Sequence, residues 1–175
     1  MTIRQQLMRE LRRRLARISV VNGYATDIGT NLWYGQQTTP VPPVLPIIFY
    51  WDHFEQPAPQ MGTLIKSVQI QIETYDHIVV PEEEAGEIDQ ALLVAQQMPV
   101  ICNQHLADLT MALTRDAVSG QFDQRFGGLA HGLQSLESDP FFGIQPGALL
   151  WCGLNSQWTL HYQHALGDPY ALTRA

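Results

Sequence analysis

Six histidines, His53, His77, His105, His131, His161 and His164, are the side chains of this sequence best suited to metal binding or proton transfer. His161 and His164 stand three apart, a spacing that on a helix would bring two imidazoles to one face. Their neighbours Trp158, Leu160 and Tyr162 favour a strand, where residues three apart point to opposite faces. The other four have no Cys, Asp or Glu at a recognisable ligand spacing and read as surface or hydrogen-bonded groups. Gly127-Gly128-Leu129-Ala130-His131-Gly132 has glycines that let amides approach a phosphate, but it lacks the lysine and the Ser/Thr of a P-loop. A tight turn entering a strand is expected there. No Gly-x-Ser-x-Gly, His-Glu-x-x-His or Cys-x-x-Cys is present. Glu82 to Glu84 read as a solvated helix start and not as a catalytic carboxylate pair. No catalytic residue, metal or cofactor is therefore expected. The enzymatic alternative is a metal-assisted hydrolase that uses some of the histidines.

Charge is distributed unevenly. Residues 1–17 hold six arginines (4, 9, 12, 13, 14 and 17) against Glu10, so this segment is near +5 and the rest near −12, giving the net −7. Such asymmetry suits contact with charged neighbours more than chemistry. A basic helix can also bind phosphates, but the acidic pI near 5.2 and the absence of aromatics among these arginines argue against general DNA affinity. The segment is Arg-rich and amphipathic like a transit peptide, yet it lacks serine enrichment and runs into patterned sequence, so it is taken as part of the fold.

With 175 residues, 45% of them hydrophobic, the chain is long enough to bury a continuous core, and one domain over 1–175 is expected. The longest apolar run, Val44 to Trp51, is broken by Pro46 and is far short of the roughly 20 residues a membrane helix needs. No membrane span is expected. Cys102 and Cys152 lie in apolar helical and strand-like stretches and read as reduced core thiols, which fits a reducing bacterial or cytosolic origin.

The elements that must position these groups follow from spacing. Ile3, Leu7, Leu11, Leu15 and Ile18 form one face of a helix over Thr2 to Ile18, with most arginines opposite. Arg4 falls inside the stripe, so the first turn is expected to fray. Asn22-Gly23 makes a turn, Asn31 to Gly35 a short strand, and Pro40-Val41-Pro42-Pro43 a stiff connection. Pro46 to Asp52 is a strand with its proline at the start or edge. Glu55 to Gly62, with two prolines and a glycine, reads as a long loop. Leu64 to His77 alternates, with Val68, Ile70 and Ile72 on one face and Gln69, Gln71 and Glu73 on the other. A helix starts at Pro81-Glu82-Glu83-Glu84, and its apolar spacing continues past Pro99 to Leu113, as one kinked helix or two abutting ones. Gly120 to Gly128 is a loop. Leu129 to Leu136 and Ala148 to His164 are strands, separated by turns at Asp139-Pro140 and Gln145-Pro146-Gly147. The expected fold class is α+β: a mostly antiparallel sheet packed by an N-terminal amphipathic helix and a long or kinked central helical segment.

Several of these stretches together resemble the tail terminator, or tail completion, proteins of long-tailed bacteriophages. They are the leading helix, Asn22-Gly23-Tyr24-Ala25-Thr26-Asp27-Ile28-Gly29, Leu45-Pro46-Ile47-Ile48, Leu106-Ala107-Asp108-Leu109, Gly127-Gly128-Leu129-Ala130, and Leu160-His161-Tyr162-Gln163-His164-Ala165-Leu166-Gly167-Asp168-Pro169-Tyr170. The resemblance implies a non-enzymatic virion protein, made in the host cytoplasm and placed at the tail neck. It would form a homo-oligomeric ring, hexameric by the resemblance, that caps the last ring of the tail tube, ends polymerisation and offers a head-tail joining surface. Its partners would be the tail tube protein and the head-tail connector, with DNA only as passing cargo and no membrane. The alternative is another neck, connector or minor tail protein. Arg9, Arg12 and Arg13 are the candidate subunit interface. Phe54, Glu55 and Gln60, in the segment Asp52 to Thr63, and Phe141 and Phe142 are the candidate tube or connector contacts. The phenylalanine pair either anchors an interface or is buried under the sheet. Glu82 to Glu84, if they line the channel, would repel passing DNA.

Overall fold

Thr2 starts the first helix, α1 (Ile3–Leu15), in the computed structural model, which describes residues 1–36, 45–53, 56–60, 63–80, 90–145, 149–165 and 168–170. Its hydroxyl accepts from the Gln5 amide at 3.2 Å, and the Gln5 side chain accepts from the Thr2 amide at 2.9 Å. This reciprocal cap satisfies two orphan donors. Arg4 bonds the Asp52 carboxylate at 2.8 Å, and the Ile3 amide bonds the Pro169 carbonyl at 3.1 Å. The first turn is thus capped and pinned, not frayed. Ile3, Leu7, Leu11, Leu15 and Ile18 are buried, as their spacing requires. After α1 a short 3₁₀ turn, Val20–Asn22, closes on Gly23 at φ 86°. Gly29 then lies directly on the end of α1: its amide bonds the Ile18 carbonyl at 3.0 Å, and a Cβ there would stand 2.3 Å from the Leu15 oxygen.

The strands are β1 (Leu32–Tyr34), β2 (Ile47–Asp52), β3 (Gln56–Gln60), β4 (Thr63–His77), β5 (Gly132–Gln145) and β6 (Leu149–Ala165), and the second helix is α2 (Gln90–Thr114). They form one sheet in the order β1-β2-β4-β6-β5, with β3 pairing the first part of β4. Only β1 and β2 run parallel; the other pairs are antiparallel. The class is α+β. One face, carrying Val68, Ile70, Ile72, Leu154, Trp158, Leu160 and Tyr162, packs on the α1 stripe and on Cys102, Leu109, Ala112 and Leu113 of α2. The opposite face carries a second cluster, Ile47, Phe49 and Tyr75 with Trp51, Phe141 and Trp151, to which neither helix contributes.

Two further expectations need correction. Glu55 to Gly62 is not a long loop, because Gln56–Gln60 is the edge strand β3, in register with Thr63 to Ser67. Pro57 and Pro59 stand two apart, which puts both missing amides on one side of the strand, where an edge has no partner. Asp139-Pro140 is not a turn; it lies inside β5, paired with Asn155 and Leu154. β5 is also an edge strand, a place where proline is tolerated, and a bulge between Ser135 and Glu137 shifts its register. The helix start at Pro81 to Glu84 lies outside the described residues, as do the Pro40 to Pro43 connection and the turn at Pro146-Gly147. Of the two helical alternatives, a single helix is found, continuous through Pro99.

Candidate functional site

Polar chemistry in this molecule concentrates where α2 meets the sheet, and the sequence reading missed it. His105 of α2 is fully buried, with Nδ1 2.8 Å from the Thr74 hydroxyl and Nε2 3.4 Å from Asp76 of β4. Hydroxyl, imidazole and carboxylate are thus in the order of a hydrolase triad. Thr74, however, has no exposed surface, and its hydroxyl also accepts from the Leu154 amide at 3.2 Å. A nucleophile needs an approach of about 3–3.5 Å for the reacting atom. The trio therefore serves as a polar tie between α2 and β4. Burial raises the Asp76 carboxyl, but bonds from His105 and the His77 amide outweigh this and hold it below the ordinary range. Beside the trio, Cys102 and Cys152 are buried free thiols, and the Cys102 thiol lies 3.2 Å from the Gly153 carbonyl. The influence of each thiol on the other pushes Cys152 up and Cys102 down.

A second buried hub joins the ends of the two helices. Arg14, only 1% exposed, bonds Glu10 at 3.0 Å, the Leu113 carbonyl at 2.9 Å, and both the carbonyl and the carboxylate of Asp123 at 2.6 and 2.7 Å. Its guanidinium also lies 4.1 Å from the Phe126 ring centroid. Arg14 is therefore not among the outward-facing arginines. A signal existed, because position 14 follows Leu7 and Leu11 at helical spacings of seven and three. Asp108 of α2 accepts from the amides of Ala25 and Thr26 at 3.0 and 2.8 Å and from the Thr26 hydroxyl at 2.7 Å. It fixes the turn between α1 and β1.

The glycine stretch forms a turn, and its anion is built in. The Gly127 amide donates to the Asp123 carboxylate at 2.7 Å, and the Gly128 amide to the Arg125 carbonyl at 3.0 Å. Burial raises Asp123, but the amides of Gly127 and Arg125, with Arg14, hold it below the ordinary range. These amides are occupied and do not cradle a phosphate. His161 is half-buried and His164 buried, three apart in β6 and so on opposite faces. Among the described residues no group of three or more His, Cys, Asp or Glu is placed to hold a metal. No helix among them is long and apolar enough to cross a membrane.

A cleft of about 560 Å³ between the first turn of α1 and the sheet is lined by Arg4, Tyr34, Asp52, Lys66, Tyr162 and His164. Asp52 accepts from both Arg4 and the Tyr34 hydroxyl. The bond to Asp52, with burial, pushes Tyr34 up to about 12, far from a neutral-pH acid or base.

The candidate contact residues divide. Arg9, Arg12 and Arg13 are exposed on one side of α1, Arg13 paired with Glu10 at 2.8 Å. Phe54 and Glu55 lie outside the described residues, as does the side chain of Gln60. Phe141 and Phe142, adjacent in β5, point to opposite faces. Phe141 packs on Tyr75 and Trp151 with ring centroids 5.0 and 5.8 Å apart, on the face without helices, while Phe142 is 54% exposed on the other. Gln60 pairs Thr63, whereas Phe141 shares a row with Tyr75, twelve residues along β4. At about 3.4 Å per residue the two lie roughly 40 Å apart, so they do not form one contact patch. No protein-family model and no curated protein matches this sequence.

Proposed function

We propose that this chain is a structural protein of a long-tailed phage virion: a tail terminator whose subunits close into a ring, six in number, on the last ring of the tail tube. The ring ends tube polymerisation and gives the head-side connector a surface to join. It works without catalysis, metal or cofactor, and DNA only passes through it. The observation that carries this reading is the convergence of stretches that resemble the family. Residues 22–29 are held by Asp108 from the Leu106 to Leu109 stretch and back onto α1 through Gly29. Leu109, Ile28, Ala130, Leu160 and Tyr162 pack in the same core as the α1 stripe.

In this reading Arg9, Arg12 and Arg13 orient neighbouring subunits, since charge complementarity sets geometry more than affinity. The β3–β4 hairpin and the row of Phe141 and Phe142, at opposite ends of the sheet, serve two different neighbours, tube and connector. Purified protein mixed with assembled tail tubes, imaged by negative stain and weighed by native mass spectrometry, tests the reading. A ring on one end of each tube is the expected result; a protein that ignores tubes and binds the connector would make it a different neck component.

A further inference from the structure

The outward side of α1 and the helix-free face of the sheet are chemical opposites. On α1 the exposed positions are Gln5, Arg9, Arg12, Arg13 and Ala16, three or four apart and therefore on one side, away from the buried stripe. Arg13 pairs Glu10, whereas Arg9 and Arg12 form no ion pair among the described residues. On the sheet, Trp33, Phe49, Glu73, Asn155 and Asp139 stand in one row across β1, β2, β4, β6 and β5, and Tyr75, Gly153 and Phe141 stand in the next. A pocket of about 330 Å³ opens there, lined by Glu73 and Asp139 of the first row and by Tyr75, Phe141 and Trp151. The three rings lie within 5.0, 5.4 and 5.8 Å of one another, centroid to centroid. Two glycines make room for them. A Cβ at Gly143 would strike the Trp151 ring, and one at Gly153 would strike Phe141 as well as the Thr74 carbonyl.

The acids of this face lack a cation. Glu73 accepts from the Tyr75 hydroxyl at 3.0 Å, and burial raises its carboxyl. Glu137 and Asp139 are exposed and form no ion pair among the described residues. The strand positions on this face hold no lysine or arginine. Carboxylates beside aromatic rings suit a guanidinium, which stacks on the rings and bonds the acid in a fork. The sheet itself keeps the two surfaces of one molecule apart. α1 packs its stripe on the side of Val68, Ile70 and Ile72, and Glu73, the next residue of β4, is on the other side. Arg9 and Arg12 therefore cannot enter the pocket of their own chain. The dimensions suit a second chain: the thirteen residues of α1 are about 20 Å long, and five strands are about 19 Å across. Glu73 and Asp139 are two strands apart, roughly 10 Å. Arg9 and Arg12, one turn apart with Cβ atoms about 5–6 Å from each other, span this with their long side chains.

We infer that the helix-free face of the sheet is the docking site for the arginine side of α1 from a second copy of this chain. One of Arg9 and Arg12 enters the pocket of Glu73, Tyr75, Phe141 and Trp151, and the other meets Asp139 and Glu137 on its rim. Nucleic acid is repelled by the same carboxylates. Donor and acceptor lie on opposite sides of each molecule, so the contact is heterologous and propagates until rotation closes it. It rests on the ring reading above and supplies the surface that the α1 arginines meet. Phe142, exposed on the other face of β5, stays available to the tube or the connector.

Charge reversal tests it. Arg9→Glu with Arg12→Glu inverts the donor, and Glu137→Lys with Asp139→Lys inverts the acceptor; all four side chains are exposed, and thermal melting verifies folding. Sedimentation velocity should show each double variant self-associating at least about tenfold more weakly than the parent chain. An equimolar mixture of the two should recover association, because each variant then meets a complementary surface on the other. The fourfold variant, with both surfaces inverted, should recover it alone. Parent-like association of either double variant would overturn the contact. So would a mixture no stronger than its components, or a parent chain that is monomeric at its highest soluble concentration. Tube capping is scored separately: capping that both double variants retain removes this contact alone, whereas association rescued by charge reversal in a protein that caps no tubes keeps the contact and rejects the terminator reading.

Discussion

The two helices handle charge in opposite ways. α1 carries six charged residues in thirteen, and all but Arg14 lie at or near the surface. α2 has twenty-five residues, of which the acidic and basic side chains are His105 and Asp108, and both are buried. In α1 charge faces outward, where single ion pairs contribute about 0–1 kcal/mol. In α2 it faces inward, where each polar group is bonded and its loss is costly. Inward charge in this molecule joins elements to one another; outward charge is left for neighbours.

Arg14 belongs to α1 by position and to the inward class by environment, so its removal breaks the comparison most sharply. Arg14→Ala takes the charged donor away from Asp123 and the Leu113 carbonyl and should destabilise the fold by about 3–5 kcal/mol in urea unfolding. A loss under about 1 kcal/mol would show that the hub relaxes and that burial does not set its worth. Asp108→Ala removes three bonds from the 25–26 turn and should cost about 2–3 kcal/mol, with faster hydrogen exchange at the Ala25 and Thr26 amides.

Acid sharpens the contrast further. Asp76, Asp116 and Asp123 are held below the ordinary carboxylate range, Asp116 at about 2 by the amide and hydroxyl of Ser119 and the amide of Val118. The unfolded chain takes up their protons first, so the stability they contribute is present above about pH 4 and is lost as pH falls toward 2. The denaturant midpoint should decline through that window, and Asp123→Asn should flatten the decline. The smallest effect on folding is expected from Arg9→Glu, Arg12→Glu and Arg13→Glu together, within about 0.5–1 kcal/mol per site in thermal melts. On the proposed terminator reading, the same triple variant loses ring assembly on tubes; intact assembly would mean that these arginines are merely solvated.

Where a pattern is local, the sequence announced the structure. The stripe of α1 and the alternation of β4 both rest on residues within one element, and both appear with the expected faces buried. The errors arose where a second element decides. Pro57, Pro59 and Pro140 carry turn chemistry in isolation, but all three lie in strands at the sheet's edges, where proline is tolerated. Thr74 and His105 are thirty-one residues apart, and no spacing rule links them before the sheet and α2 meet. Phe141 and Phe142 look like one aromatic anchor until strand geometry turns them to opposite faces.

Among the described residues, no strand pairs the outer side of β5 over its fourteen residues. Such a rim is a template for adding another chain, and a sheet that grows by templating has no natural last member. Here the bulge bends the rim, Pro140 deletes a donor from the strand, and Glu137 and Asp139 place like charges along it. Molecules of this protein held close together at high concentration are thereby kept from zipping into a continuous ribbon.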